Sequence, residues 1–188
     1  MGEHPENYFN IVISIVEQRL YLLDGDNIEK IYMIASAKNG IGQIEGSECT
    51  PLGKHHVVEK IGDNAPVNAV FMGRQWQGEI YSDELAQSSP DRDWILTRIL
   101  WLSGLEKGKN AGRFDGKENQ GVSCDTKSRY IYIHGCPNSH AMQIPSSHGC
   151  IKMRNTDVME LFELTNVNTA VNIIAETMSQ HLMVHKSS

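Results

Sequence analysis

The chain has 188 residues, of which 40% are hydrophobic and 21% charged, with a formal net charge of −6. This length suits one globular domain with a buried core and argues against two independent domains. The negative charge without a basic cluster argues against nucleic-acid binding, and the longest apolar runs, 11–16 and 99–102, are far shorter than the roughly 18 residues of a membrane span.

The first ten residues, MGEHPENYFN, lack the basic start, apolar middle and small-residue cleavage site of a secretion signal. As the chain is written, we therefore expect a cytoplasmic location, and a periplasmic or cell-wall location if the N-terminus was trimmed. The four cysteines are Cys49, Cys124, Cys136 and Cys150. A chain of this length does not need disulfides for stability, so free thiols are expected.

Short strand-like segments broken by turn residues fill the first two thirds of the chain. NIVISIV (10–16), RLYLL (19–23) and IEKIYMIAS (28–36) predict a meander, because DGDN (24–27) is a strong turn signal. TPLGKHHVVEKIG (50–62) predicts a further strand, and AVFMGRQWQGEIYS (69–82) a hairpin.

The next segments lead to the clearest strand. DWILTRILWLSGLE (93–106) also fits a helix by its length and its Leu and Ile content, and we interpret it as a strand. EKGKNAGRFDGKENQG (106–121) is polar and rich in glycine, which is typical of a surface loop or flap. RYIYIHG (129–135) alternates bulky residues as a strand does.

One helix is well signalled after residue 154. Asn155 or Thr156 can cap it, and Val158, Leu161, Phe162 and Thr165 follow at helical spacing. A last strand is predicted at TAVNIIA (169–175). The expected fold class is mainly β with one or two short helices, in a domain over 10–175, an N-terminal extension over 1–9 and a C-terminal tail over 176–188.

Chemically reactive side chains concentrate between residues 130 and 154. A thiol becomes a good nucleophile when a neighbouring imidazole takes its proton. Cys150 is the candidate nucleophile, and His134, which ends a strand before Gly135, is the candidate base. Gly149 allows a sharp turn whose N–H groups could stabilise an oxyanion.

Other interpretations stay open on the residues alone. A cysteine beside a glycine is more often an inert, partly buried thiol than a nucleophile. His134, Cys136, His140, His148 and Cys150 are groups that zinc prefers, but their spacing is not that of structural zinc sites, so we expect no metal and no other cofactor. His55 and His56 are interpreted as surface or loop residues.

The segment HGCPNSHAMQIPSSHGCIKMRNTDV (134–158) resembles the catalytic signature of the L,D-transpeptidase (YkuD-type) family. Upstream, residues 15–42 and the Thr-Pro-x-Gly element in TPLGKHHV (50–57) are similar to the opening strands of that family. The resemblance covers roughly residues 10–175 and implies an L,D-transpeptidase-like β-sandwich with mixed sheets.

The resemblance also implies a role for individual residues. Cys150 would be the nucleophile and His134 its base, with the Gly135 carbonyl orienting the imidazole. His148 and Gly149 would complete the catalytic set beside Cys150, with the N–H groups of Gly149 and Cys150 in the oxyanion hole. The substrate-binding positions implied are Ser147, Lys152 and Arg154.

Two positions depart from the family pattern. Cys136 stands where threonine is common, and we interpret it as packing rather than as half of a regulatory disulfide. Lys152 stands where arginine is common, and it can replace arginine only if the contact needs charge rather than a two-pronged geometry.

The activity implied is acyl transfer on peptidoglycan stem tetrapeptides through a thioester, with release of D-alanine, and acylation of Cys150 by a carbapenem. With water as acceptor, the protein would instead be a cytoplasmic L,D-carboxypeptidase that trims tetrapeptides to tripeptides. A His/Cys metal-binding or wall-peptide binding module is the non-enzymatic alternative. The expected partners are stem peptides or muropeptides, and the sequence does not predict the oligomeric state.

Overall fold

A computed structural model describes residues 9–185 of the chain. This part of the chain contains ten strands and three short helices, and none of these helices is long and apolar enough to cross a membrane. In chain order the elements are β1 (Phe9–Ser14), β2 (Arg19–Asp24), β3 (Asn27–Met33), β4 (Gly53–Ile61), β5 (Ala69–Met72), β6 (Gln75–Ile80), α1 (Asp83–Ser88), β7 (Leu96–Gly104), β8 (Tyr132–Gly135), β9 (Ile151–Met153), α2 (Asn155–Leu164), β10 (Ala170–Ile174) and α3 (Met178–His185).

Hydrogen bonds join the ten strands into one mixed sheet, in the order β3-β2-β1-β10-β4-β7-β5-β6. The sheet branches at β7, which also pairs with β8, and β8 pairs in turn with β9. The pairs β1–β10 and β8–β9 are parallel, and the other pairs are antiparallel. The predicted mainly β class with mixed pairing is confirmed, as are the meander, the 69–82 hairpin and the last strand.

Strands β1 and β2 are buried on both faces. Ile11, Ile13 and Leu22 point into the main core, whereas Val12 and Tyr21 pack with Met178 of α3 on the other face. A sheet that is covered on one face alternates apolar and polar residues. Because α3 also covers the second face here, both faces need apolar residues, which explains the continuous apolar runs in these strands. Helix α3 lies in the segment expected to be a C-terminal tail, so the described residues contain three helices rather than one or two. Residues 1–8 of the expected N-terminal extension lie outside the described residues, and Phe9, the last residue of that extension, begins β1.

The ambiguous segment 93–106 contains strand β7, as interpreted from the sequence. Its first seven residues, 96–102, are all buried. Leu100 and Leu102 face the main core, and Ile99 and Trp101 face a second cluster together with Tyr132. Because both faces of the strand are covered, it lacks the alternation that separates a strand from a helix in sequence.

The interpretation of His55 as a surface or loop residue is wrong. His55 lies in β4 and is 1% exposed, whereas its neighbour His56 points to the other face and is half-buried. Its ring nitrogens contact Gly53 O at 2.8 Å and Thr126 Oγ1 at 3.1 Å. Burial lowers the pKa of His55 to about 4, so the ring is neutral at physiological pH and serves as a structural link between β4 and the 106–131 loop.

Helix α2 begins without the predicted side-chain cap. Arg154 occupies the N-cap position and makes no side-chain capping bond. The Asn155 side chain instead turns away from the helix end: Oδ1 accepts from Thr97 Oγ1 at 2.8 Å, and Nδ2 donates to Asn68 Oδ1 at 2.8 Å. A buried amide that ties α2 to β7 and to the loop before β5 therefore replaces a local cap.

Removing this amide should destabilise the fold. Asn155→Ala leaves the Thr97 hydroxyl and the Asn68 amide without this partner in a buried site, at a cost of about 1–3 kcal/mol in the free energy of unfolding. Thr156→Ala is the matched control, because Thr156 is exposed on the same helical turn and should change stability by less than about 0.5 kcal/mol. Urea unfolding measures both values, and equal effects would contradict the tether.

Candidate active site

Strands β8 and β9 bring the two predicted reactive residues to one face of the sheet. Their parallel register pairs Ile133 with Ile151 and His134 with Lys152. Cys150 directly precedes β9, and the Tyr132 N–H donates to Cys150 Sγ at 3.4 Å. Since side chains alternate along a strand, His134 and Cys150 lie on the same face, although 16 positions separate them in the chain.

The His134 imidazole is fully buried and held by its neighbour. Nδ1 lies 2.8 Å from Gly135 O, as the resemblance implied. A carbonyl oxygen only accepts hydrogen bonds, so Nδ1 carries the hydrogen and the lone pair of the neutral ring is on Nε2. Nε2 is buried without a hydrogen-bond partner among the described residues. Burial lowers the pKa of His134, which keeps this nitrogen unprotonated.

Gly135 is required at its position for steric reasons. A Cβ there would lie 2.3 Å from Asn155 Oδ1 and 2.8 Å from Leu96 O. The glycine thus lets β8 pack closely against β7 and α2, and this packing sets the position of the carbonyl that holds His134.

Cys150 rests as a neutral thiol on the edge of a pocket. The side chain is partly exposed, and Sγ donates to Tyr130 O at 3.4 Å. Burial of the sulfur raises its pKa to about 12, more than the Tyr132 N–H can offset. The nearby Asp93 carboxylate raises it further, whereas Lys152 and Arg129 lower it. The pair is therefore a thiol with a neutral imidazole rather than a thiolate with an imidazolium.

The turn before Cys150 is fixed by short polar contacts. Ser147 Oγ donates to Cys150 O at 2.5 Å and accepts from Gly149 N at 3.2 Å. Thr50, from the Thr-Pro-x-Gly element, donates to Gly149 O at 2.9 Å. Gly149 has φ of +131°, and a Cβ there would lie 2.8 Å from Ile131 Cδ1. Because Ser147 already engages the Gly149 N–H, the Cys150 N–H is the better candidate for an oxyanion donor.

The pocket beside Cys150 has a volume of about 540 Å³. It is lined by Gly73, Arg74, Asp93, Ile95, Arg129, Tyr130, Ile131, Tyr132, His148 and Cys150. Of the predicted site residues, only His148 and Cys150 are in this set, and His134 in β8 does not line the pocket. Ser147, Lys152 and Arg154, implied as substrate-binding, lie outside the lining.

Lys152 and Arg154 make contacts of a structural kind. Lys152 is 3% exposed, and its Nζ lies 3.3 Å from Ser146 O and 3.8 Å from Asp93 Oδ1. Arg154 donates to Asn138 O at 2.8 Å. Lys152 thus supplies a buried charge rather than a two-pronged contact, which explains how lysine can stand in place of arginine.

Among the pocket residues that sequence analysis missed, three are charged: Asp93, Arg74 and Arg129. Asp93 Oδ2 lies 3.6 Å from His148 Nδ1, so one carboxylate contacts both His148 and Lys152. Arg129 donates to Gly42 O, Gln43 O and Cys49 O at 2.7–3.2 Å and so fixes the 42–49 loop. These residues come from distant segments, and nothing local in the sequence signals them.

The remaining thiol and imidazole groups do not gather around a common point. Among residues 9–185 no group of three or more His, Cys, Asp or Glu side chains is placed to hold a metal ion. Cys136 is fully buried, its Sγ donates to Met153 O at 3.3 Å, and burial raises its pKa to about 11. These contacts agree with the interpretation of Cys136 as a packing residue.

The raised pKa of Cys150 predicts how its alkylation depends on pH. Only the thiolate reacts with iodoacetamide, so the rate constant at Cys150 should keep rising about tenfold per pH unit up to at least pH 10. Peptide mapping by mass spectrometry separates Cys150 from the other cysteines. A plateau reached near pH 7 would show a thiolate–imidazolium pair and contradict the neutral resting state.

Comparison with solved structures shows the same fold. An L,D-transpeptidase from Mycobacterium smegmatis matches with a TM-score of 0.50 and 14% identity, over 89% of this chain and 59% of that chain. The L,D-transpeptidase LdtMt1 in complex with imipenem matches with a TM-score of 0.51 and 16% identity, over 89% of this chain and 59% of that chain. Bd1075 from Bdellovibrio bacteriovorus matches with a TM-score of 0.53 and 14% identity, over 96% of this chain and 54% of that chain. The chain thus spans less than two thirds of the length of these structures.

A search of curated proteins finds no match. A family profile, described as the L,D-transpeptidase catalytic domain (YkuD), matches residues 9–173 and so includes β1 to β9, most of β10, the Thr50 element, His134 and Cys150. Because this match covers most of the chain, the protein belongs to the YkuD family of L,D-transpeptidase catalytic domains.

Proposed function

We propose that the protein is a cysteine acyltransferase of the L,D-transpeptidase type that acts on peptidoglycan stem tetrapeptides. The observation that supports this most strongly is the state of His134. Its Nδ1 is held by Gly135 O, and its unprotonated Nε2 is buried without a partner in the described part of the chain, on the sheet face that it shares with Cys150. A buried lone pair on the sheet face that also carries a thiol suits a base that accepts one proton during catalysis.

In the first step, Cys150 Sγ leaves its contact with Tyr130 O and gives its proton to His134 Nε2 as it attacks the carbonyl of the diamino acid. The carbonyl oxygen gains the negative charge, and the Cys150 N–H is our candidate to stabilise it. When the C–N bond breaks, His134 returns the proton to the departing amine, and D-alanine leaves. The peptide remains on Cys150 as a thioester.

In the second step, an acceptor attacks the thioester and His134 takes its proton. The thiolate of Cys150 leaves and is protonated, which restores the resting pair. If the acceptor is the side-chain amine of a second stem peptide, the product is a cross-link, and the reaction belongs outside the cytoplasmic membrane. If it is water, the product is a tripeptide, as expected for trimming in the cytoplasm. We propose transfer to an amine as the main activity.

The proposal predicts different losses for the two reacting residues. Cys150→Ala should abolish turnover of a disaccharide tetrapeptide, because no thioester can form. His134→Ala should lower kcat about 10²- to 10⁴-fold through loss of the acid–base partner. Intact-protein mass spectrometry with a carbapenem should show one adduct in the wild type and none in Cys150→Ala.

Cys136→Ala is the matched control for this experiment. It removes a second thiol from the upstream His-Gly-Cys triplet, but that thiol is buried against Met153 rather than in the pocket. It should keep both turnover and the adduct. Turnover in Cys150→Ala, or an adduct that persists there, would overturn the assignment of the nucleophile.

The acceptor is tested by the products. With free disaccharide tetrapeptide, transfer predicts a dimer whose mass is that of two units less one D-alanine, because a bound amine adjacent to the thioester outcompetes water. Hydrolysis predicts tripeptide and D-alanine with little dimer. Chromatography with mass detection separates the products, and tripeptide alone at saturating acceptor would exclude transpeptidation.

A further inference from the structure

Arg74 lies at the tip of the β5–β6 hairpin and lines the Cys150 pocket. The two residues between the strands, Gly73 and Arg74, both have positive φ, at 53° and 66°. Tight hairpin turns with positive φ at both central residues favour Gly, Asn and Asp, so an arginine here is not explained by turn chemistry alone. The turn presents the Arg74 side chain to the pocket.

Aromatic groups hold the Arg74 guanidinium in place. Its central carbon lies 4.3 Å from the centre of the Trp101 ring and 5.2 Å from that of Tyr130. Nη1 donates to the Tyr132 hydroxyl at 3.3 Å. Stacking on aromatic faces orients a guanidinium without neutralising it, so the group is ordered before any ligand arrives.

The guanidinium has no anionic partner among the described residues. The acidic group that acts on it is Glu59, which lies beyond ion-pair distance. Arg92 provides the contrast, because both of its terminal nitrogens contact the Glu79 carboxylate, at 3.0 and 2.5 Å. Arg74 has five N–H donors and makes one hydrogen bond to residues 9–185, so it retains the paired donors that recognise a carboxylate.

The other charges of the pocket are already occupied. Asp93 contacts Lys152 and His148, and Arg129 donates to backbone carbonyls. Arg74 is therefore the pocket cation whose side-chain donors are directed at no backbone carbonyl or carboxylate in the described part of the chain.

Tyr132 links Arg74 to the reacting sulfur. Its N–H donates to Cys150 Sγ at 3.4 Å, and its hydroxyl accepts from Arg74 at 3.3 Å. One tyrosine thus contacts both the sulfur and the guanidinium, and Arg74 and Cys150 line the same pocket. A peptide bound with a carbonyl at the sulfur therefore has its neighbouring residues in the cavity that Arg74 also lines.

We propose that Arg74 binds a carboxylate carried by one of the two residues that flank the scissile bond of the donor peptide. This carboxylate is either the C-terminal group of the departing D-residue or a side-chain carboxylate of the diamino acid. The inference rests on the proposed function and deepens it, since it makes Arg74 the residue that selects donors with a free acid at this point.

Three donor tetrapeptides test the proposal: the free acid, the C-terminal amide and, where the diamino acid has a side-chain carboxylate, its side-chain amide. In the wild type, one of the amides should lower kcat/KM about tenfold to hundredfold relative to the free acid, because it removes a charge-assisted pair. The amide that is affected identifies the carboxylate. In Arg74→Gln the ratio between acid and amide should fall to about one, and Arg74→Lys should be intermediate because it keeps the charge without the fork.

Lys127→Gln is the matched control. Its Nζ also lies over the Trp101 ring, at 5.3 Å, but Lys127 is not part of the pocket lining. The variant loses the same charge from the same aromatic surface and should keep the wild-type ratio between acid and amide. A ratio that falls equally in both variants would show a general charge effect and overturn the proposal.

Binding separates this proposal from the proposed reaction. Isothermal titration of Cys150→Ala with the same peptides should show tighter binding of the free acid, and Cys150→Ala/Arg74→Gln should lose that preference. Discrimination in binding without wild-type turnover would refute the reaction and support the role of Arg74. Turnover of acid and amides at equal rates would support the reaction and refute the role of Arg74. Equal or unmeasurable affinity for all three peptides would also refute the role of Arg74.

Discussion

The parallel pairing of β8 and β9 is the constraint on which the candidate site depends. Each strand is short, yet together they place His134 and Cys150 on one face of the sheet from opposite ends of a 15-residue connection. Parallel strands need such a crossover, which here carries the Ser147 turn instead of a helix. The branch at β7 anchors β8 within the larger sheet, so His134 is positioned by the core rather than by a loop.

Electrostatics then determine the protonation state of this pair. The Gly135 carbonyl selects the tautomer of His134, and burial disfavours charge on both the imidazole and the thiol. A charged resting pair would need compensating charges close by, and Lys152 and Asp93 are charged neighbours of both groups. The neutral pair avoids this cost, and under the proposed function charge would separate only when a bound carbonyl can accept the electrons.

The sequence predicts most of the fold and the centre of the candidate site, because both depend on local sequence patterns. Strand alternation, turn residues and the two His-Gly-Cys triplets are local patterns, and local patterns are visible without coordinates. Asn155 shows where this fails: an asparagine at a helix start predicts a cap, but tertiary contacts with Thr97 and Asn68 compete for the same amide. His55 fails in the same way, because its burial depends on Thr126 in a distant loop.

The pocket wall is least predictable because it combines segments that are remote in sequence. Asp93 lies before β7, Arg74 is on a hairpin, and Arg129 ends a long loop. None of these residues carries a local signature, since an arginine on a turn or an aspartate before a strand is ordinary on any surface. Their relation to Cys150 follows from the order of strands around β7, which no spacing rule along the chain encodes.

The neutral state of Cys150 also determines its fate in an oxidising environment. Hydrogen peroxide attacks thiolates, and conversion to a sulfenic acid follows the thiolate fraction and the exposure of the sulfur. A thiol with its pKa raised to about 12 has almost no thiolate at neutral pH. Although Cys150 lines the pocket, it should therefore react slowly with small oxidants at neutral pH.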